Sequence, residues 1–275
     1  MNPNNRTGNR YVTFDLWETL IFDDPDSDEA RGRMRCKGLQ SVLAEHEIQL
    51  AMEDLYRAYD QSGPRFQVTW DTNEEVPIIE QIKMIVESAA GKSITLGAPW
   101  AKVLEDAYVN PILAIPPKLS KDAPTVLAAV RSRGYKIGLI SNTGRSPGNA
   151  LRKLLNDFDV LKFFEATVFS NEVGRRKPDI TIFDRAAQLL GAQNRDVVHV
   201  GDNPKADFWG ARNAGMRAIL LDQVPPDSSR WGPHSLFALA RANTSTNELG
   251  IDSNLRMRSL TETPDLVDKL FLESS

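Results

Sequence analysis

The chain has 275 residues, enough for one large domain or for a domain carrying a smaller one. Hydrophobic residues at 41% and charged residues at 25% match ordinary globular usage, so a packed core is expected rather than a disordered chain. A formal charge of −4 without a long basic run argues against nucleic acid as a partner, and a single cysteine, Cys36, excludes an intramolecular disulfide or a cysteine-rich metal site. Residues 1–10 are polar and Asn-rich, without the apolar segment of a signal peptide. No stretch approaches the roughly eighteen apolar residues of a membrane span, so a soluble, cytoplasmic protein without a membrane partner is expected. Oligomeric state is not legible.

Residues 11–16 read as a short buried strand carrying Asp15 near its end. From residue 23 to about residue 115 the pattern turns helical. Ile78, Ile79, Ile82, Ile85, Val86 and Ala89 mark one apolar face, with weaker faces over residues 39–48, 55–59 and 103–113. Pro116 and Pro117 punctuate the end of this unit. Beyond them helices and strands alternate: strands at 136–140, 166–169, 197–200 and 217–221, and helices at about 123–132, 149–156, 178–190 and 211–214. Such alternation predicts a parallel sheet with helices on both faces. Residues 225–256 are Pro-, Ser- and Asn-rich around an apolar patch at 236–239 and read as an irregular surface excursion before a last helix near 264–272. The predicted fold is α/β: a Rossmann-like sheet domain made of residues 1–22 and 116–275, with an all-helical cap domain, residues 23–115, inserted after the first strand.

Ligands of open parallel sheets bind at the carboxyl ends of the strands. Those ends here carry Asp15, then Ser141 and Asn142, then Lys177 in the loop before Pro178, then Asp202 and Asp207. Convergent carboxylates with one lysine and one hydroxyl suit a divalent cation and a phosphoryl group.

The segments that carry these residues resemble the signatures of the haloacid dehalogenase-like superfamily. Residues 12–20, VTFDLWETL, look like the first; Ile140-Ser141-Asn142-Thr143 is similar to the second, Arg176-Lys177-Pro178 to the third, and residues 201–207, GDNPKAD, to the fourth, continued by 210–216. Four in order, with a helical insertion between the first two, cover most of the sheet domain. The resemblance implies a magnesium-dependent phosphatase acting on a small phosphorylated substrate. Asp15 would be the nucleophile that forms an aspartyl-phosphate. Asp15 and Asp202 would hold Mg²⁺, with Trp17 counted by position among the metal-site residues, and Asp207 would ligate through water or hold Lys177. Ser141 and Lys177, with Asn142, would grip the phosphate, and Thr19 would brace the nucleophile loop.

Trp17 departs from the pattern, because most phosphatases of this family carry an acid–base aspartate two residues after the nucleophile. Glu18 is adjacent, but in an extended chain its side chain points to the other face, which predicts a weak or specialised phosphatase. An aromatic residue at this position, and the tyrosine that dehalogenases carry where Phe183 stands, bring in 2-haloacid dehalogenation as an alternative. Gly201-Asp202, the metal-binding form of the fourth signature, stands against it. A non-catalytic phospho-ligand-binding or regulatory protein is the third reading. Elsewhere plainer roles are expected. His199 reads as a satisfied core histidine, and His46 and His234 lack metal-ligand spacing. Phe66 and Trp70 read as packing residues, and Arg31, Arg33, Arg35 and Lys37 as a solvated basic helix face, with a cap arginine greeting an anionic substrate as the alternative.

Overall fold

A computed structural model of the chain describes residues 10–223, 231, 235–237, 239 and 251–272. A six-stranded parallel sheet organises it. In chain order the strands are β1 (Tyr11–Phe14), β4 (Lys136–Ser141), β5 (Ala166–Phe169), β6 (Val197–Gly201), β7 (Arg217–Leu221) and β8 (Arg256–Met257); β2 (Ile21–Phe22) and β3 (Lys118–Leu119) form a separate antiparallel pair. The spatial order is β5-β4-β1-β6-β7-β8. The central strands are buried almost throughout, and their β-branched and aromatic residues fit a sheet covered on both faces.

Strand order decides where a ligand can sit. From β1 the chain crosses to β4 and β5 on one side, then returns to β6 and β7 on the other. The crevice where the order reverses therefore opens at the carboxyl end of β1, between β4 and β6. The signature residues reach that crevice because each follows one of these three strands or a nearby loop.

Between β2 and β3 lie six helices: α1 (Pro25–Glu45), α2 (Met52–Asp60), α3 (Ser62–Trp70), α4 (Ile78–Ala90), α5 (Ala98–Val109) and α6 (Pro111–Ala114). They share an apolar cluster that includes Leu39, Leu43, Leu55, Ile82, Ile85 and Leu104, apart from the clusters on the two faces of the sheet. Helix α1 begins where the chain chemistry says it should. Asp24 accepts a bond from Ser27 N at 2.9 Å, and Pro25 takes the first helical position. The β2–β3 pair clasps the two ends of the insertion, and Ser120 N donates to Leu20 O at 2.8 Å.

Around the sheet stand α7 (Ala123–Ser132), α8 (Gly148–Asp157), α9 (Ser170–Val173), α10 (Ile180–Leu190), α11 (Gly210–Asn213) and α12 (Thr263–Leu272). Three local expectations are corrected. The first strand ends at Phe14, so Asp15 lies just beyond it. Helix α10 opens at Ile180 rather than Pro178, because Asp179 caps it by accepting from Thr181 N while Pro178 belongs to the preceding loop. The excursion at 225–256 does not stay irregular to its end, since Arg256–Met257 adds β8 to the sheet edge. Most of that excursion, His234 included, lies outside the described residues.

Candidate active site

Asp15 leaves β1 with its backbone N–H donating to Val200 O at 2.8 Å, so the strand pairing carries it to the mouth of the crevice. Its Oδ1 accepts from Lys177 Nζ at 2.5 Å, and Thr19 Oγ1 lies 3.4 Å from Oδ2. Lys177 Nζ also donates to Asp207 Oδ1 at 2.5 Å and to Ile140 O at 2.9 Å, which uses all three of its hydrogens. Asn142 holds the lysine's backbone from both sides: Lys177 N donates to Oδ1 at 2.7 Å, and Nδ2 donates to Lys177 O at 3.0 Å. The next peptide bond, Lys177–Pro178, is cis.

Asp207 lies in a single π-helical turn, Pro204–Trp209, that follows β6. This turn bends the chain back, so Asp207 Oδ2 accepts from Asn203 N at 2.9 Å while Oδ1 meets Lys177. The carboxyl group sits so close to Gly201 that a Cβ there would collide with it, which explains the glycine of the fourth signature. His199 Nε2 lies 3.1 Å from Asp207 Oδ1, and its Nδ1 lies 2.9 Å from Thr13 Oγ1. Burial lowers the histidine's pKa, so it is neutral; a carboxylate only accepts, so Nε2 carries the proton. It is the satisfied core histidine that the sequence suggests, and it also orients Asp207.

The electrostatics separate the three aspartates. Burial works upward on Asp207, but Lys177 and His199 outweigh it and hold the group well below the usual range. Burial, the Asp207 charge adding and Lys177 opposing, pushes Asp15 up to about 7. Asp202 is raised well above its ordinary value, by burial first and then by the charges of Asp15, Asp207 and Glu18. One carboxyl oxygen from each of Asp15, Asp202 and Asp207 lies within 4.8 Å of the others. One lysine does not neutralise such a group, and oxygen donors at this spacing suit a hard divalent cation. The residues fit the metal that the signatures imply.

These groups line a cavity of about 250 Å³ between the sheet and the helical insertion, together with Trp17, Glu18, Asn142 and Thr143. Residues 10–215 match the family model described as a haloacid dehalogenase-like hydrolase. The chain belongs to this family.

Among relatives of this hydrolase is the bovine (Bos taurus) haloacid dehalogenase-like hydrolase domain-containing protein 3, 25% identical over 79% of this chain and 83% of its own. Phosphoserine phosphatase of Thermus thermophilus is 30% identical over 66% of this chain and 69% of its own. In fold it resembles the 2-haloacid dehalogenase of Pseudomonas syringae, with a TM-score of 0.60 at 19% identity, over 96% of this chain and all of that one. This chain is therefore an enzyme of the hydrolase family, with phosphatases among its relatives in sequence.

The remaining expected site residues of the hydrolase are placed unevenly. Ser141 ends β4 fully buried, with Oγ 3.3 Å from Asn142 O, and does not line the cavity. Trp17 lines it, but its indole packs edge-on against Phe237 at 5.5 Å and forms apolar wall. Phe183 is buried against His199 in the core, away from the cavity.

Three expectations fail here. Glu18 does not point to the other face. It has φ of +60°, where the chain turns so that Leu20 N and Ile21 N both bond Leu16 O, and its buried side chain lines the same cavity as Asp15. The basic residues of α1 are not a uniform solvated face either: Arg31 and Arg35 are 1% and 2% exposed, while Arg33 and Lys37 face solvent. Helical spacing holds the signal, because Arg31 and Arg35 are four apart on the face that buries Leu39 and Leu43. The patch at 236–239 is also not mere surface, since Leu236, Phe237 and Leu239 wall the cavity.

Contacts between the insertion and the sheet domain surround the site. Glu75 Oε2 accepts from Arg176 at 2.7 Å, from Thr143 Oγ1 at 3.3 Å and from Ser170 Oγ. Arg176 stacks 4.0 Å over Trp70. Gln81 Nε2 donates to Gly144 O at 3.0 Å.

Proposed function

We propose that the chain is a magnesium-dependent phosphatase for small phosphate esters, with residues 23–115 as its cap. The observation that carries this reading is the crowding of Asp15 and Asp202 beside a single lysine, an arrangement whose charge calls for a cation. The phosphatase name of the Thermus thermophilus relative supports the same reading. Asp15 and Asp202 would hold Mg²⁺. Trp17 could join them only through its main-chain oxygen, because an indole is no ligand for a hard cation. When bound, the cation lets the phosphate approach Asp15 and neutralises charge on its oxygens.

The protein groups then divide the work. Asp15 attacks phosphorus while the bond to the ester oxygen breaks, giving an aspartyl-phosphate and an alkoxide that needs a proton. Glu18 supplies that proton from its carboxyl group. Its carboxylate next takes a proton from the water that attacks phosphorus, so phosphate leaves and Asp15 is regenerated. Lys177 holds Asp15 and acts on the equatorial oxygens through its charge, and Asp207 keeps Lys177 in place. Trp17, at the position where the family signature implies an acid, serves as apolar wall, so the proton comes from one residue further along.

A panel of phosphate esters and 2-haloacids, assayed with magnesium and with excess EDTA, tests the reading. Phosphate release that requires magnesium is expected. Halide release undiminished by EDTA would transfer the chain to dehalogenation.

A further inference from the structure

The same cavity is also lined by charge of the opposite sign. Arg35 on α1 and Arg145 in the loop after β4 both line the cavity, at 2% and 8% exposure. Arg35 donates from Nε to Tyr108 O at 3.0 Å and from Nη1 to Tyr59 Oη at 2.8 Å. Arg145 donates from Nη1 to Tyr108 Oη at 2.7 Å, and from Nη2 to Ser62 Oγ at 2.8 Å and Tyr59 O at 3.3 Å. Its guanidinium lies 4.0 Å from the Tyr59 ring centre and 5.1 Å from that of Phe66. Each partner is a neutral oxygen or an aromatic ring. Among the described residues neither guanidinium has a carboxylate in ion-pairing contact. The neighbouring Arg31 differs, since it is paired with Asp23 and Asp28.

Two like charges, buried on the same pair of tyrosines with no carboxylate in contact and only Asp28 acting on Arg145 from further off, are costly unless something brings an anion to them. The cavity they face is the one that holds Asp15, and it is small. Among the described residues Arg35 donates only from Nε and once from Nη1, which leaves its outer Nη1 and Nη2 hydrogens for a planar carboxylate through two parallel bonds. Arg145 gives both Nη2 hydrogens to Ser62 and Tyr59 and adds charge. A compact anion suits a space at or below the lower end of the usual range for ligand pockets, about 300–1,000 Å³. We infer that Arg35 and Arg145 bind a carboxylate carried by the substrate, so that the preferred substrates are small phosphate esters of carboxylic acids. This rests on reading the cavity as a phosphate-ester site. The reading places one anionic group at Asp15 and Lys177, with the cation, and the second at Arg35 and Arg145.

Binding separates this inference from the hydrolytic reading. Phosphonoacetate carries a phosphonate and a carboxylate; ethylphosphonate has nearly the same size and lacks the carboxylate. Neither is hydrolysed. Calorimetric titration at fixed free magnesium should give the wild-type chain about a tenfold or greater preference for phosphonoacetate. Arg35→Gln should reduce that preference to within about twofold, and Arg145→Lys, which keeps the charge but loses the bonds to Ser62, Tyr59 and Tyr108 that place it, should reduce it in part. Arg33→Gln, an exposed change on the same helix, is the control that keeps the preference. Melting curves check that each variant is folded, and Arg35→Gln carries the test if Arg145→Lys is not. Equal binding of the two ligands by the wild type, or a preference that survives in folded Arg35→Gln, overturns the inference and leaves the arginines as struts between insertion and sheet. A preference that responds as expected in a chain that hydrolyses no ester would sink the phosphatase and keep the site.

Discussion

Two buried charge clusters line one cavity, and they are built in opposite ways. At the strand ends three aspartates crowd around one lysine, and two of them are driven upward in pKa by burial and by one another. Elsewhere in the lining two guanidiniums rest on neutral oxygens and rings. The first carries more negative than positive charge, and the second has no carboxylate in ion-pairing contact among the described residues, Asp28 acting on Arg145 only from further off. Unbalanced buried charge lowers stability, and proteins retain it where a ligand completes the set. On the proposed reading the difference means that the cavity takes a composite occupant: a cation and an anion at the aspartates, and a second anion at the arginines.

The sharpest way to break this comparison is to remove the nucleophile. Asp15→Asn keeps the shape of the side chain, and Lys177 keeps its bonds to Asp207 and Ile140. Turnover should fall by roughly 10⁴–10⁶-fold, the loss that follows removal of one member of a catalytic set. Beryllium fluoride, a phosphate mimic, should bind the wild type and not the variant. Comparable turnover in folded Asp15→Asn would discard the mechanism.

Glu18 offers the next largest effect. If it supplies the leaving-group proton, Glu18→Gln should slow alkyl phosphates by about 10²–10⁴-fold. Aryl phosphates, whose leaving groups depart readily without a proton, should lose far less. A uniform loss over both classes, with chemistry shown to limit the rate, would make Glu18 a structural residue of the turn.

These two residues also show what the sequence could reveal. Asp15, Asn142, Lys177, Asp202 and Asp207 were legible because each sits in a short motif tied to a strand end, and a parallel sheet gathers strand ends at one edge. Glu18 was not, because alternation along an extended chain says nothing about a residue with φ of +60°. The role of Arg145 depends on Tyr59 and Tyr108, residues 86 and 37 positions away that only the folded insertion brings to it. Strand β8 was missed because two residues at a sheet edge carry no periodic signal.

A smaller effect tests the acidic cluster through stability. Asp15 ionises near 7 when folded, against an ordinary 3.8. Without a cation its contribution is therefore fully present below about 3.8 and is lost as pH rises through about 7. In EDTA the wild-type Tm should accordingly fall between pH 5 and pH 8 from this source, and magnesium should recover the loss at pH 8. Asp202→Asn removes one of the repelling carboxylates. Its Tm in EDTA at pH 8 should exceed that of the wild type by about 2–4 °C, the shift that about 1 kcal/mol produces in a chain near this size. Magnesium should then stabilise the variant less than the wild type. An Asp202→Asn melting point below the wild-type value in EDTA at pH 8 would mean that the carboxylate is held by partners and not by repulsion awaiting a cation.

The smallest expected effect sharpens the other half of the comparison. Arg33 stands between the two buried arginines in sequence, yet its side chain is 68% exposed and pairs with Glu29 at 2.5 Å, one helical turn away. Solvent screens such a pair, and holding two long side chains in one geometry costs entropy. Arg33→Gln should therefore leave Tm, turnover and the phosphonoacetate preference unchanged within error, at both low and high salt. Arg35→Gln, two residues along, faces the opposite side of α1 and should change the preference. If Arg33→Gln instead weakened phosphonoacetate in proportion to ionic strength, the anion would be sensing the summed positive field of α1. The two-guanidinium wall would then lose its claim to specificity, because a long-range field attracts any anion and a buried fork selects one shape.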